Sequence, residues 1–435
     1  MRAKVAVVFS AVVLVTAGCG MVLMKTPAAV SSGKLDPFAR VIPERQNSEA
    51  PVFVASARMV SGKSEPSLFY TNDRSRELRL GLAKVQIGPG MTWADLVRES
   101  RAAERQHNPP LAVTAYEEFG PLWSTLWPPD LRFHRDWDPT DVDREPGQRF
   151  VAAVEAMLRD SRQRQITLYV HGFNTQFGEN LMLAGEFWHY MARDDVMISF
   201  DWASRGSLFS YQIDKANAEF AVRQLRRLLE FLAASTSASR INIIGHSAGC
   251  VVVAEALHQL SLMFYDLDGT EAQRRSRIGR VVLAAPDMDL GQALSARVDG
   301  ALRVTQDLAV YASRGDRALS FSSNIFGDVR LGSSIGKLKD DERAAMINTG
   351  AQIIDVSPAQ RWTSSLLGHS YYHQNLWVSS DVMLFLELGA TAEERGLVRD
   401  LKTGFLTFPD SYLQQLPEII DRLSKKYEFA RPAVR

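Results

Sequence analysis

Gly245-His246-Ser247-Ala248-Gly249 stands between an apolar run at 241–244 and an apolar stretch at 250–263. A G-x-S-x-G pattern in a strand-turn-helix setting has a steric purpose: a very tight turn lifts the serine hydroxyl above the sheet, and flanking glycines let the backbones approach closely. At a helix N-terminus Ser247 would also sit where free N–H groups favour developing negative charge. A hydroxyl is a weak nucleophile until a base takes its proton, and attack on a carbonyl creates an oxyanion that needs two donors. His369, in Gly368-His369-Ser370, is the candidate base, and Asp316, in Ser313-Arg314-Gly315-Asp316, is the candidate acid that orients it. Both follow strand-like runs, at 353–356 and 304–311. The oxyanion donors would be the backbone N–H groups of Ala248 and of Phe173, which lies in Tyr169-Val170-His171-Gly172-Phe173-Asn174 after the run at 166–170. The chemistry is nucleophilic attack on a carboxylic carbonyl.

Other residues compete for these roles. Asp287 and Asp289, one strand earlier, are alternative acids, although Asp289 also suits a helix cap. His373 competes with His369 as base. The His369/His373 spacing imitates a zinc pattern, but Ser370 occupies the place of the required Glu and no third ligand stands out, so no metal site is expected. His171 reads as a brace for its turn, His246 as a packing residue beside the pocket, and Cys250 as a small buried helix residue. Ser247 as an ordinary helix cap is the plainer alternative to a nucleophile. Gly62-Lys63-Ser64 matches the end of a P-loop, yet Ala57 occupies the place of its first Gly, and G-x-G-x-x-G is absent. Cofactor-free chemistry fits.

The elements that must hold these residues alternate in type. Apolar runs at 166–170, 196–200, 241–244, 281–285, 304–311 and 353–356 are strand-like. Between them lie helical stretches, one marked by Phe220, Leu225, Leu228, Leu229 and Leu232, while Phe150, Val151, Val154, Met157 and Leu158 make another apolar helical face. The alternation predicts an α/β fold with a mostly parallel sheet covered on both faces and its site at the carboxyl ends of the strands. Ahead of it, runs at 52–54, 68–70 and 82–87 predict a β-rich extension, residues 93–106 a helix, and the Pro- and Trp-rich stretch 107–147 an irregular packed segment or pocket rim.

The order Ser247, Asp316, His369 and the stretch 165–390 resemble the α/β-hydrolase superfamily. More narrowly, His171-Gly172-Phe173-Asn174-Thr175, Phe200-Asp201-Trp202-Ala203-Ser204, Pro286-Asp287, Asp316-Arg317-Ala318-Leu319 and Gly368-His369-Ser370-Tyr371 resemble a widespread bacterial hydrolase family of unknown function. The segments 52–58 and 70–74 are similar as well. The resemblance implies an α/β-hydrolase fold and a Ser-His-Asp triad. An esterase or lipase acting on a small ester or lipid substrate is the first expectation. Thioesterases, amidases and acyltransferases share the machinery, and a noncatalytic hydrolase-fold lipoprotein that binds an envelope partner is the alternative of a different class.

The chain's start carries its own signal. Arg2 and Lys4 precede an apolar run at 5–15, shorter than the roughly 20 residues that cross a bilayer, and Thr16-Ala17-Gly18-Cys19 follows. This resembles a bacterial lipobox, which implies a signal peptide over 1–18, acylation of Cys19 and anchoring to a membrane. With Gly20 next, the resemblance implies the outer membrane in a two-membrane host. Residues 19–50, with Pro27, Pro37 and Pro43 and no sustained period, read as a tether, 51–146 as the extension and 147–435 as the hydrolase domain. With Cys19 lipidated, Cys250 is the remaining thiol and no intramolecular disulfide can form. Lys plus Arg equals Asp plus Glu at 50 each, so no general field attracts a polyanion, and nucleic acid is not an expected partner.

Overall fold

The computed structural model describes residues 20–124, 145–205, 211–289, 291, 298–316, 319, 331–336, 338–359 and 369–427. The signal segment, Cys19, Trp127 and Trp137 lie outside them. Among the described residues one sheet of eleven strands runs in the order β10-β11-β9-β8-β7-β6-β4-β5-β1-β2-β3, its first two members being the short strands β10 (Val398–Arg399) and β11 (Leu406–Thr407). Its centre is parallel: β4 (Gln165–Val170), β5 (Val196–Asp201), β6 (Arg240–His246), β7 (Ile278–Ala284), β8 (Thr305–Ala312) and β9 (Gln352–Asp355). All residues of β4, β5 and β7 are buried, as continuous apolar runs require when both faces are covered. Alternation divides them. Tyr169, Met197, Ile244 and Val282 enter one core, while Leu168, Ile198, Ile243 and Val281 enter the other.

Helices close both faces. α3 (Glu145–Arg159), α5 (Tyr211–Ser235) and α6 (Ala248–Met263) present Phe150, Leu225, Leu229, Val253 and Leu257 to the second core. α4 (Phe177–Tyr190) and the helices Leu376–Leu388 and Tyr412–Lys426 cover the first with Leu181, Trp188, Val382, Phe385 and Ile420. The expected α/β architecture is therefore present.

The N-terminal strands continue this sheet. β1 (Glu49–Val60) pairs in parallel with β5, so Ser56 lies beside Asp201 at the carboxyl end, and antiparallel with β2 (Tyr70–Ile87). The runs at 68–70 and 82–87 thus belong largely to one long strand, whose intervening charged residues project outward. Part of the stretch expected to be irregular is β3 (Leu111–Ser124). Its Pro121 is tolerated because β3 is the outermost strand and needs no partner for one row of backbone groups.

Residues 20–50, expected as a tether, instead lie as a strap along the body. Val22 bridges Pro110, and Leu23 N–H donates to Pro109 O at 2.8 Å while Met21 O accepts from Leu111 N–H at 2.8 Å. The guanidinium of Arg105 holds Leu23 O and Met24 O, and Ala29 N–H donates to Ser380 Oγ. Leu23, Met24, the short helix α1 (Ala28–Ser31), Leu35 and Phe38 fill gaps between helices. The strap has no sequence period because its apolar residues fit separate hollows rather than one helical or strand face. Phe38, 5% exposed, packs on His189 at 4.8 Å and on Trp93 at 6.0 Å between ring centres. Phe38→Ala is expected to lower the unfolding free energy by about 3–5 kcal/mol in denaturant titration. A value near zero would mean that the strap is not part of the folded body.

Candidate active site

Strand β6 ends at His246, and α6 begins at Ala248, leaving a single residue to make the turn. That residue, Ser247, has φ 52° and ψ −122°, a conformation that L side chains rarely adopt. It is held there by its N–H donating to Ala284 O on β7 at 2.9 Å and by its carbonyl accepting from Cys250 N–H at 3.0 Å and Asp287 N–H at 3.2 Å. Its side chain makes no capping hydrogen bond, so the plain helix-cap role does not describe it. The neighbouring glycines are steric necessities. A Cβ on Gly249 would lie 2.4 Å from His171 O, and one on Gly172 would lie 2.8 Å from Ser247 Cβ. The turn after β4, which carries Phe173, is therefore in contact with the elbow whose next residue is Ala248.

Asp316 and His369 meet directly. Asp316 follows β8 and is fully buried; its Oδ2 lies 2.8 Å from His369 Nδ1, and its Oδ1 accepts from Leu319 N–H at 3.0 Å. A carboxylate on Nδ1 assigns the proton there and leaves Nε2 as the acceptor. The histidine loop is pinned to the sheet by two hydroxyls: Tyr371 donates to Tyr311 O at 2.7 Å, and Tyr372 shares a 2.7 Å hydrogen bond with Tyr169. Among the described residues Ser247 Oγ makes no hydrogen bond to His369. The two are neighbours through His246, whose ring centre is 5.0 Å from that of His369 and which stacks on Tyr372 at 4.5 Å.

The competing residues are placed elsewhere. His373 Nδ1 lies 3.0 Å from Glu186 on α4, a buried carboxylate that also accepts from Met24 N–H. Asp287 serves the elbow through its backbone N–H, and it is Asp316 that contacts His369. Cys250 is buried, its Sγ 3.2 Å from Gly245 O, and burial pushes its thiol well above the usual range. His171 is wholly buried behind the turn, with Nδ1 2.8 Å from Gly172 O and its ring stacked on Trp202 at 5.1 Å.

Sequence reasoning missed the polar set behind that turn. Arg58 on β1 donates through Nε to Asp201 Oδ1 at 2.9 Å, with both side chains fully buried. Ser56 Oγ and Asn180 Nδ2 also donate to Asp201. Burial alone would raise the Asp201 carboxyl, but the charge of the buried Arg58 guanidinium beside it outweighs that and holds it below the ordinary range. The motif around Asp201 was visible in the sequence, but its partner lies 143 residues away.

Burial, then the proximity of His369 and His373, lowers the His246 pKa well below 6.5, so the folded state keeps this ring neutral. The unfolded chain binds the proton more readily, so the contribution of His246 to stability is complete above about pH 6.5 and declines as pH falls below it. His246→Gln should flatten this limb, changing the acid-side loss between pH 6.5 and 5 by up to about 2 kcal/mol in denaturant titrations. Parallel wild-type and variant curves over that range would contradict the assignment.

Residues 148–384 match the family model described as "Alpha/beta hydrolase of unknown function (DUF900)". No curated protein matches the chain. Among solved structures, the chain is similar to a lipase-esterase related protein from Clostridium acetobutylicum ATCC 824 at 12% identity, over 62% of this chain and 95% of that one, with a TM-score of 0.23. A likeness of that size carries no argument about activity. The family match covers more than half of the chain and coincides with the strands and turns that hold Ser247, Asp316 and His369, so the chain belongs to the alpha/beta hydrolases of unknown function, DUF900.

Proposed function

We propose that this hydrolase is a serine esterase that works through an acyl-enzyme. Ser247 Oγ attacks the ester carbonyl as His369 Nε2 takes its proton, and Asp316 holds the imidazole and offsets the imidazolium charge. The backbone N–H groups of Phe173 and Ala248 receive the oxyanion. When the tetrahedral adduct collapses, the C–O bond to the alcohol breaks and His369 returns the proton to that oxygen. Water, deprotonated by His369, then attacks the acyl-enzyme, and the acid leaves with Ser247 restored.

The observation that carries this reading is the 2.8 Å His369–Asp316 contact beside a serine at positive φ on a strand-to-helix turn. The missing Ser247–His369 hydrogen bond does not oppose it, since such bonds are often long in unliganded sites and tighten with substrate. Thioesters, amides or a second acceptor in place of water would use the same groups. The reading includes acylation of Cys19 and attachment to a membrane, the outer one in a two-membrane host.

A fluorophosphonate probe is expected to label the wild-type chain stoichiometrically at Ser247, and Ser247→Ala and His369→Ala to abolish labelling. Asp316→Asn should slow it by about 10³–10⁴-fold, as expected when the tautomer is no longer imposed. A folded wild type that never reacts would favour a binding lipoprotein over an enzyme. Cys19→Ser should move the protein from the detergent phase to the aqueous phase after Triton X-114 partition. Equal partition of the two would remove the lipid anchor from the reading.

A further inference from the structure

One buried cation takes no part in the chemistry above. Arg58 lies on β1, outside the family match at 148–384, and its side chain is fully buried. Besides Asp201, it donates through Nη1 to Asn72 Oδ1 at 2.8 Å and Ser204 O at 3.5 Å, and through Nη2 to Thr175 O at 2.8 Å. The same Nη2 lies 3.3 Å from His171 Nε2. His171 Nδ1 faces Gly172 O, which can only accept, so Nδ1 carries the proton and Nε2 accepts from Arg58. His171 Nε2 also lies 3.4 Å from Asp201, a contact that this tautomer leaves as proximity rather than a hydrogen bond.

Arg58 therefore grips both ends of the turn 171–175 that carries Phe173. Other groups hold the turn as well: Trp202 Nε1–H donates to His171 O at 2.8 Å, and Asn174, at φ 57°, donates its N–H to Ser204 Oγ at 2.8 Å. A buried ion pair is a weak source of stability, because desolvation offsets the attraction and an apolar pair of similar volume can serve as well. What a guanidinium supplies is direction, a planar fork that satisfies a carbonyl, a carboxylate and an imidazole in one fixed arrangement.

We infer that Arg58 is a positioning residue for the oxyanion turn: its guanidinium, supplied by the N-terminal extension, sets where the Phe173 N–H faces Ser247. The inference rests on the serine-hydrolase reading, and it makes the extension part of the working site. An ammonium is a point charge and cannot reach the same partners together, so Arg58→Lys does not rescue the turn.

The test compares Arg58→Met and Arg58→Lys with Arg193→Met. Arg193 is equally buried and donates to Arg45 O and Asn47 O ahead of β1 and β5, at the ends of the strands opposite the elbow, so its loss controls for simple destabilisation. Measured on folded protein, both Arg58 variants are expected to react with the fluorophosphonate at least tenfold more slowly than wild type, with faster amide exchange confined to 172–176. Arg193→Met should label within twofold of wild type despite a lower melting temperature. Labelling by the Arg58 variants at the wild-type rate, or a loss no greater than that of Arg193→Met with unchanged protection of the turn, overturns the inference. If Arg58→Met does not fold, Arg58→Lys carries the comparison. If the wild type itself does not label, the nucleophile assignment fails, and exchange at 172–176 alone decides whether Arg58 holds the turn.

Discussion

The close approach of two main chains at the carboxyl edge of the sheet is the constraint on which the site depends. The last turn of β4 and the elbow after β6 touch, with no space for a Cβ at Gly249 and little at Gly172. Adjacent parallel strands are normally about 4.8 Å apart, and here the contacts at Gly172 and Gly249 keep the two chains close beyond their last paired residues, Val170 and Gly245. The positive φ of Ser247 is the local cost of this geometry, roughly 1–3 kcal/mol. The packing that maintains it comes from both cores, since Val252 and Val253 of α6 are buried in one and the strand neighbours Ile244 and Ala284 in the other.

Three buried polar arrangements then lock separate loops against this edge. Arg58 and Asp201 secure the turn after β4. Tyr371 and Tyr372 fix the loop of His369 to β8 and β4. Tyr311 donates to Asp381, which Arg395 also holds, tying β8 to the helix Leu376–Leu388. The two charged sets satisfy their buried groups with several partners, which is the condition under which burying charge is tolerable. Each also joins elements far apart in the chain.

That distance explains what could be read from the sequence. The strands at 166–170, 196–200 and 241–244 and the serine elbow are local patterns, visible as apolar runs and a five-residue motif. The choice of Asp316 over Asp287 came from order along the chain, and the structure places His369 against Asp316. Arg58 could not be singled out, because nothing near it in the chain announces a partner on β5. Nothing in the sequence marks the hydroxyls of the tyrosines beside His369 as partners of β8 and β4. The strap and the proline-bearing edge strand β3 broke the usual periodicities, one by filling scattered hollows and the other by needing a single bonded edge.

The strap also changes what an attachment at the start of the chain would mean mechanically. Backbone bonding to the body begins at Met21, so a group carried by residue 19 is at most two residues, or about 7 Å, from a fixed point. Met21 pairs beside β3, and β6 lies five strands away in the sheet, about 24 Å in lateral displacement alone. A leash of thirty residues would let the molecule swivel freely, whereas this arrangement is a bracket. Were the chain attached through residue 19, the angle at which the bracket holds the sheet, rather than the length of a linker, would govern which surroundings the Ser247 edge faces.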